Sequence, residues 1–324
     1  MTDALAAFLA GSPAAGWRRE PLAGDTSARR YERLRGPRSV SGDRTAILMD
    51  ARAEPASVAP FLRVGAHLRA LGLAAPAVLA EGEGLLLLED LGEATVALWL
   101  DRRPGDAPLL FGAAVDLLAR LARSAPPEDP DLVAFTPARM AGLLAPFFEH
   151  HATGLDPRLR AELAGRLGEA LERHAPGPLV LALRDFHAGN LVWRGEREGL
   201  GRLGLLDFQD AVAAPAEYDL ASLLRDARRD GDEGLRGAMI RRFAEAVGRE
   251  EARVGAAAAV LGVQRNLRIL GVFARLAGQG KGGYLRHVPR LLKHLRADLA
   301  HPALAAVRPL AEAALAPVPA EARP

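Results

Sequence analysis

A chain of 324 residues, 49% hydrophobic and 25% charged, has the apolar material for two cores, which excludes an intrinsically disordered protein. It contains no cysteine, so disulfides, thiolate metal sites and a cysteine nucleophile are excluded as well. The net charge of +2 is unevenly spread: residues 221–324 hold 18 Lys and Arg against 10 Asp and Glu, and residues 1–220 hold 24 against 30.

The arginines of the basic C-terminal third are scattered through apolar helical patterns without aromatic interleaving, so a small anion is expected there and nucleic acid is not. Lysine occurs only as Lys281 and Lys293. The opening MTDALAAFLAGSPAAGW has no basic leader and is broken at Gly11, Ser12 and Pro13. The longest apolar run, Gly255 to Val263, is about nine residues, well short of the roughly 20 that span a bilayer. A cytoplasmic monomer with no membrane association is the expectation.

In chain order, residues 3–11 read as a short helix stopped by Gly11. WRREPLAGDTSARRYERL and RTAILMDA then suggest two or three antiparallel strands. Val58, Phe61, Leu62, Gly65 and Leu68 fall at helical spacing, and PAVLAEGEGLLLLEDLG reads as a further hairpin. Beyond Gly92 the pattern turns helical, over about 94–100, 109–122, 137–150 and 157–174. LVLALRDFHAGNLVWRGEREGLGRLGLLDFQD interrupts with strand-like runs, after which helical spacing returns over 218–224, 235–247, 253–276 and 284–299. The outline is α+β: a small β-rich lobe over residues 1–91 and a large, mostly helical lobe over 92–324.

The interruption carries the chemistry. The apolar run 179–183 leads into a loop bearing Asp185 and Asn190, and pairing of 191–193 with 203–208 would bring Asn190 beside Asp207. Phosphoryl transfer uses this set: one carboxylate to orient and deprotonate an attacking hydroxyl, and an amide oxygen with a second carboxylate to hold Mg2+ against a triphosphate. A D-x-x-x-x-N spacing alone has little specificity, because Asp and Asn are common loop residues. Its position between strand-like runs behind a β-rich lobe is what favours a kinase.

These residues resemble the aminoglycoside phosphotransferase-like kinases, relatives of the protein kinases. LRDFHAGN is similar to the family's H-x-D-x-H-x-x-N loop, with Leu183 in place of the first histidine and His187 keeping the second. LLDFQD is similar to its metal-binding segment, and APAEYDLASLLRD to its downstream Tyr-Asp-Leu-Ala element. The resemblance implies a two-lobed protein-kinase-like fold, ATP and Mg2+ as cofactors, Asp185 as base, Asn190 and Asp207 as metal ligands, and Asp219 as a brace for the loop. GDTSARRYERL, ILMDA, LLLLEDLG and QRNLRILGVFARL further resemble the bacterial anomeric kinases of N-acetylmuramate and N-acetylglucosamine in cell-wall recycling.

One departure matters. The strand expected to carry a phosphate-binding lysine reads Ala46-Ile47-Leu48-Met49. Arginine, or backbone amides and metal alone, must serve instead. Arg29 and Arg30 are the candidates, with the 24–27 turn and its Ser27 covering the phosphates. Glu89 and Leu91 are expected at the adenine. Arg184, Gln209, Asp210, Arg225 and Arg265 are expected at the acceptor, with Arg225, Arg265, Arg268 and Arg275 offering partners for a carboxylate. The competing readings are a kinase of choline, homoserine or an aminoglycoside, and a nucleotide-binding pseudokinase scaffold.

Overall fold

The structure, a computed structural model, describes residues 2–22, 28–37 and 44–316. It divides into two compact units, one of Met1–Gly105 with Gly189–Asp210 and the other of Asp106–Ala188 with Ala211–Pro324.

In the first unit, helix α1 (Thr2–Ala10) precedes strands β1 (Arg18–Pro21), β2 (Arg30–Arg35) and β3 (Thr45–Asp50), helix α2 (Val58–Ala70) and the hairpin β4 (Val78–Gly82) and β5 (Leu85–Glu89). The strands form an antiparallel sheet in the order β1-β2-β3-β5-β4. Side chains alternate across a pleat, so Leu34, Ala46, Leu48, Leu85 and Leu87 share a core, against which Leu5, Phe8 and Trp17 also pack. The interior of β3 is thus wholly apolar, with Met49 fully buried. Helix α3 (Val96–Arg102) follows, its first turn capped by the Thr95 hydroxyl, which accepts from Leu98 N.

The second unit begins with α4 (Ala107–Ala122), α5 (Pro137–Gly142), α6 (Pro157–His174) and strand β6 (Leu179–Ala182). Hairpin β7 (Leu191–Trp193) and β8 (Leu203–Leu205) belongs to the first unit, where Leu205 N donates to Ala74 O and Trp193 N to Ala94 O. Strand β9 (Val212–Pro215), α7 (Tyr218–Leu224), α8 (Glu233–Val247), α9 (Glu251–Gly278), α10 (Val288–Leu299) and α11 (Arg308–Leu315) complete the second unit. Its core gathers Phe147, Leu163, Leu167, Val260, Val263, Leu267 and Leu291 around α9. Helix α9 is long and apolar enough to cross a membrane by composition, but 83% of its most apolar window is buried inside the protein, as in a core helix.

The single helix expected over 137–150 is broken. Helix α5 stops at Gly142, Pro146 has no N–H to donate, and Phe147–His151 closes as one wide π-helical turn. The 284–299 helix starts only at Val288, after a 3-10 segment Gly282–His287, with Pro289 in its first turn.

Candidate active site

The loop after β6 is built by the second unit. Strand β6 pairs antiparallel with β9, and the chain then turns through Arg184 at φ 72°. Asp219, in the first turn of α7 and 2% exposed, accepts from Leu183 N at 2.5 Å and Arg184 N at 3.0 Å. This is the brace that the resemblance implied. Burial pushes the Asp219 carboxyl up to about 7, against the pull of the two amide donors and of Arg265. A non-glycine residue in the left-handed region costs about 1 kcal/mol, so both amides serve to pin a strained turn.

Beyond the turn, Phe186 and His187 are buried while the Asp185 side chain remains 46% exposed. Arg265, from α9, donates to Arg184 O at 3.1 Å and lies 3.5 Å from Asp185 Oδ1. It therefore steadies the loop backbone and the carboxylate together. Burial, with repulsion from Arg228, pushes the His187 imidazole below its usual range, consistent with a packed loop residue.

The first unit holds the other expected residues. Pairing of β7 with β8 sets Leu205 opposite Leu191, and Leu206 N donates to Asn190 O at 3.0 Å, so Asn190 neighbours the segment bearing Asp207. Among the described residues, Asp207 (φ 56°) is the only non-glycine residue besides Arg184 at positive φ. The next side chain, Phe208, is fully buried and stacks on Phe61 of α2 with centroids 4.8 Å apart. Burying that ring turns the carboxylate of Asp207 outward, 45% exposed. Its Oδ1 accepts from Arg29 Nη2 at 3.1 Å and Gln209 Nε2 at 3.0 Å, and Gln209 also donates to Asp210 Oδ2 at 2.9 Å. The amide of Asn190 and the carboxylate of Asp207 stand on neighbouring strand ends and offer oxygen donors, the chemistry that fits Mg2+, which keeps several waters and takes only one or two protein carboxylates.

Arg29 is buried, and its Nε lies 3.9 Å from Glu54 Oε2, a partner not anticipated from the sequence. Arg30, by contrast, is exposed on β2 opposite Asp50. Ser27 and the 24–27 turn lie outside the described residues. Glu89 receives Ala77 N at 3.2 Å and Arg194 Nη2 at 3.4 Å, and Leu91 is buried against Gly204. Between them, Asp90 is gripped by Arg33 at 2.7 and 3.0 Å and caps Gly92 N at 3.0 Å.

One expected acceptor residue is placed elsewhere. Arg225, 2% exposed, donates to Asp298 Oδ1 at 2.8 and 2.9 Å and to Glu233 Oε1 at 2.6 Å, with Arg236 Nη2 3.2 Å from the same Asp298 oxygen. Its guanidinium is thus committed to two acids, the buried Asp298 and the exposed Glu233.

The comparisons agree with this geometry. Residues 18–256 match the model of the phosphotransferase enzyme family. The chain belongs to that family. Phosphotransferase relatives include a Caulobacter vibrioides protein named N-acetylmuramate/N-acetylglucosamine kinase, 36% identical over 94% of each chain. A Pseudomonas aeruginosa protein of the same name is 32% identical over 86% of this chain and 83% of its own. Among solved structures, a choline/ethanolamine kinase family protein from Mesorhizobium loti superposes with a TM-score of 0.62 at 18% identity, covering 95% of this phosphotransferase and 99% of that chain. At that identity the likeness speaks for the fold, which is protein-kinase-like.

Proposed function

We propose that this phosphotransferase moves the γ-phosphoryl group of ATP to the anomeric hydroxyl of an amino sugar, N-acetylmuramate or N-acetylglucosamine. The observation that carries the reading is the 36% identity with the Caulobacter vibrioides kinase along 94% of both chains.

In this reading Asp185 accepts a hydrogen bond from the sugar hydroxyl and finally takes its proton. The sugar oxygen bonds to the γ-phosphorus as the bond to the β,γ-bridging oxygen breaks, giving ADP and a sugar phosphate. Asn190 and Asp207 would hold Mg2+, which supplies charge neutralisation on the phosphates. Arg29 would grip the triphosphate where the family uses lysine, a task that suits a planar guanidinium. Chain segments near Ser27, Arg30, Glu89 and Leu91 would complete the nucleotide site, and Gln209 and Asp210 would meet sugar hydroxyls. Catalysis is then positioning plus electrostatic stabilisation, with no covalent intermediate.

The test is ADP release from the purified protein with ATP, magnesium and each sugar, with the phosphate located on the product by phosphorus NMR. Asp185→Asn should abolish turnover while ATP affinity stays within about twofold, since the base touches the acceptor. Phosphorylation of choline, homoserine or an aminoglycoside with no action on either sugar would replace the substrate assignment, and no ATP consumption with any acceptor would favour a scaffold.

A further inference from the structure

Positive charge gathers on the side of Asp185, where Arg184, Arg265 and Arg268 act on one another. Arg265 and Arg268 lie three residues apart on α9 and so share a face of the helix. Arg265 is committed to Arg184 O and Asp185. Arg268 is different: it is partly buried, and among the described residues it makes no hydrogen bond or ion pair. Its electrostatic neighbours are Tyr218, Arg184, Arg265 and Asp185, two of them cations. Burial, with repulsion from Arg184 and Arg265, lowers its pKa from the ordinary value. The buried carboxyl of Asp219 is already occupied by the amides of Leu183 and Arg184. Three guanidiniums thus gather beside one accessible carboxylate, and a desolvated guanidinium without an acceptor is a costly arrangement that a bound anion would relieve.

We infer that Arg268, with Arg265 behind it, receives a carboxylate carried by the acceptor, so that the enzyme distinguishes an amino sugar with an acidic side arm from its uncharged counterpart. The inference rests on the proposed function, because it takes the sugar to sit beside Asp185. N-acetylmuramate bears such a carboxylate on its lactyl arm and N-acetylglucosamine bears none, so the pair of sugars isolates the interaction. The γ-phosphate of the nucleotide is another anion of related chemistry, and the experiment separates the two.

The kinetics of both sugars and of ATP are measured for the unmodified enzyme, Arg268→Gln and Arg268→Lys, with Arg253→Gln, an exposed position on the same helix, as control. Loss of one charge-assisted contact should lower kcat/KM for N-acetylmuramate about 30-fold in Arg268→Gln, with changes below about threefold for N-acetylglucosamine and for KM of ATP. Arg268→Lys should recover part of the loss, and Arg253→Gln should change nothing. If Arg268→Gln does not fold, the methyl ester of N-acetylmuramate with the unmodified enzyme gives the same information. The ester should be used about as poorly as N-acetylglucosamine. Equal losses for both sugars, a raised KM for ATP alone, or full use of the ester would overturn the assignment of Arg268 while leaving the sugar kinase intact. Failure of the unmodified enzyme to phosphorylate either sugar would overturn the functional reading itself, and this assignment with it.

Discussion

Arg29 Nη2 donates to Asp207 Oδ1 over 3.1 Å, joining a buried guanidinium to the carboxylate proposed to hold metal. Glu54 Oε2 lies 3.9 Å from Arg29 Nε, so the cation meets two acids just ahead of β2, in a unit whose β3 strand offers no lysine. If this cation takes over the phosphates, Arg29→Gln should weaken ATP binding about 10- to 100-fold and adenosine binding less than about threefold, because adenosine has no phosphate to lose. Arg29→Lys should fall between. Calorimetric titration of both ligands checks this, and equal weakening of both would reduce Arg29 to a packing role.

Arg33 and Asp90 make a further ionic clamp in the first unit, and here both side chains are nearly buried, at 10% and 5% exposure. Burial works to raise the Asp90 carboxyl, but the Arg33 bonds and the Gly92 amide hold it below the usual carboxylate range. Arg33→Met would strand that carboxylate and should cost about 3 kcal/mol of stability, read from urea denaturation at pH 7. A depressed carboxylate lends stability above its unfolded pKa and loses it as pH falls through the folded one, so the difference between Arg33→Met and the parent should shrink below about pH 4.

Asp219 responds to pH in the opposite sense. Its folded pKa, about 7, lies above the ordinary 3.8, so the folded protein takes up a proton between those values. The stability that the neutral carboxyl lends is complete below 3.8 and is lost as pH rises through 7. Asp219→Asn has no such titration and should show a flatter profile of urea midpoint against pH over that window. The expected difference amounts to a few kcal/mol at most, since a tenfold change in proton affinity is worth about 1.4 kcal/mol. Identical profiles would mean that the carboxylate is already ionised at low pH under the two amide donors.

How much of this was legible depended on sequence distance. The Asp185 loop and the hairpin that brings Asn190 next to Leu206 are local, so their spacing announced them, and the helical period of α9 was long enough to read. Strand β9 was missed because Val212–Pro215 is short, rich in alanine and ends in proline. It becomes a strand by pairing with β6, which lies about thirty residues upstream. Arg225 looked available because its neutralising partner, Asp298, is 73 residues away on α10. Glu54, likewise, gave no sign that it would meet Arg29. Ion pairs between distant elements leave no periodic trace, whereas amphipathic faces and turns do.

The break in the 137–150 helix has a partner that sequence did not reveal. Gly271 of α9 meets it so closely that a Cβ there would lie 2.1 Å from the Pro146 carbonyl carbon and 2.2 Å from Phe147 N. Both are backbone atoms, which cannot swing aside as a side chain would. Helix α9 therefore needs hydrogen at this position to lie against the π-helical turn. Gly271→Ala should force the two segments apart and cost about 3 kcal/mol or more. Gly255→Ala, in the same helix with nothing within 4 Å of the new methyl, should instead gain about 0.5–1 kcal/mol by restricting the unfolded chain. Thermal and urea unfolding of the two variants gives the comparison. Because Arg268 lies less than one turn before Gly271, a Gly271→Ala protein that still folds should also lose more activity on N-acetylmuramate than on N-acetylglucosamine. A stability loss no larger than that of Gly255→Ala would show that the helix does not approach the Pro146 backbone as described.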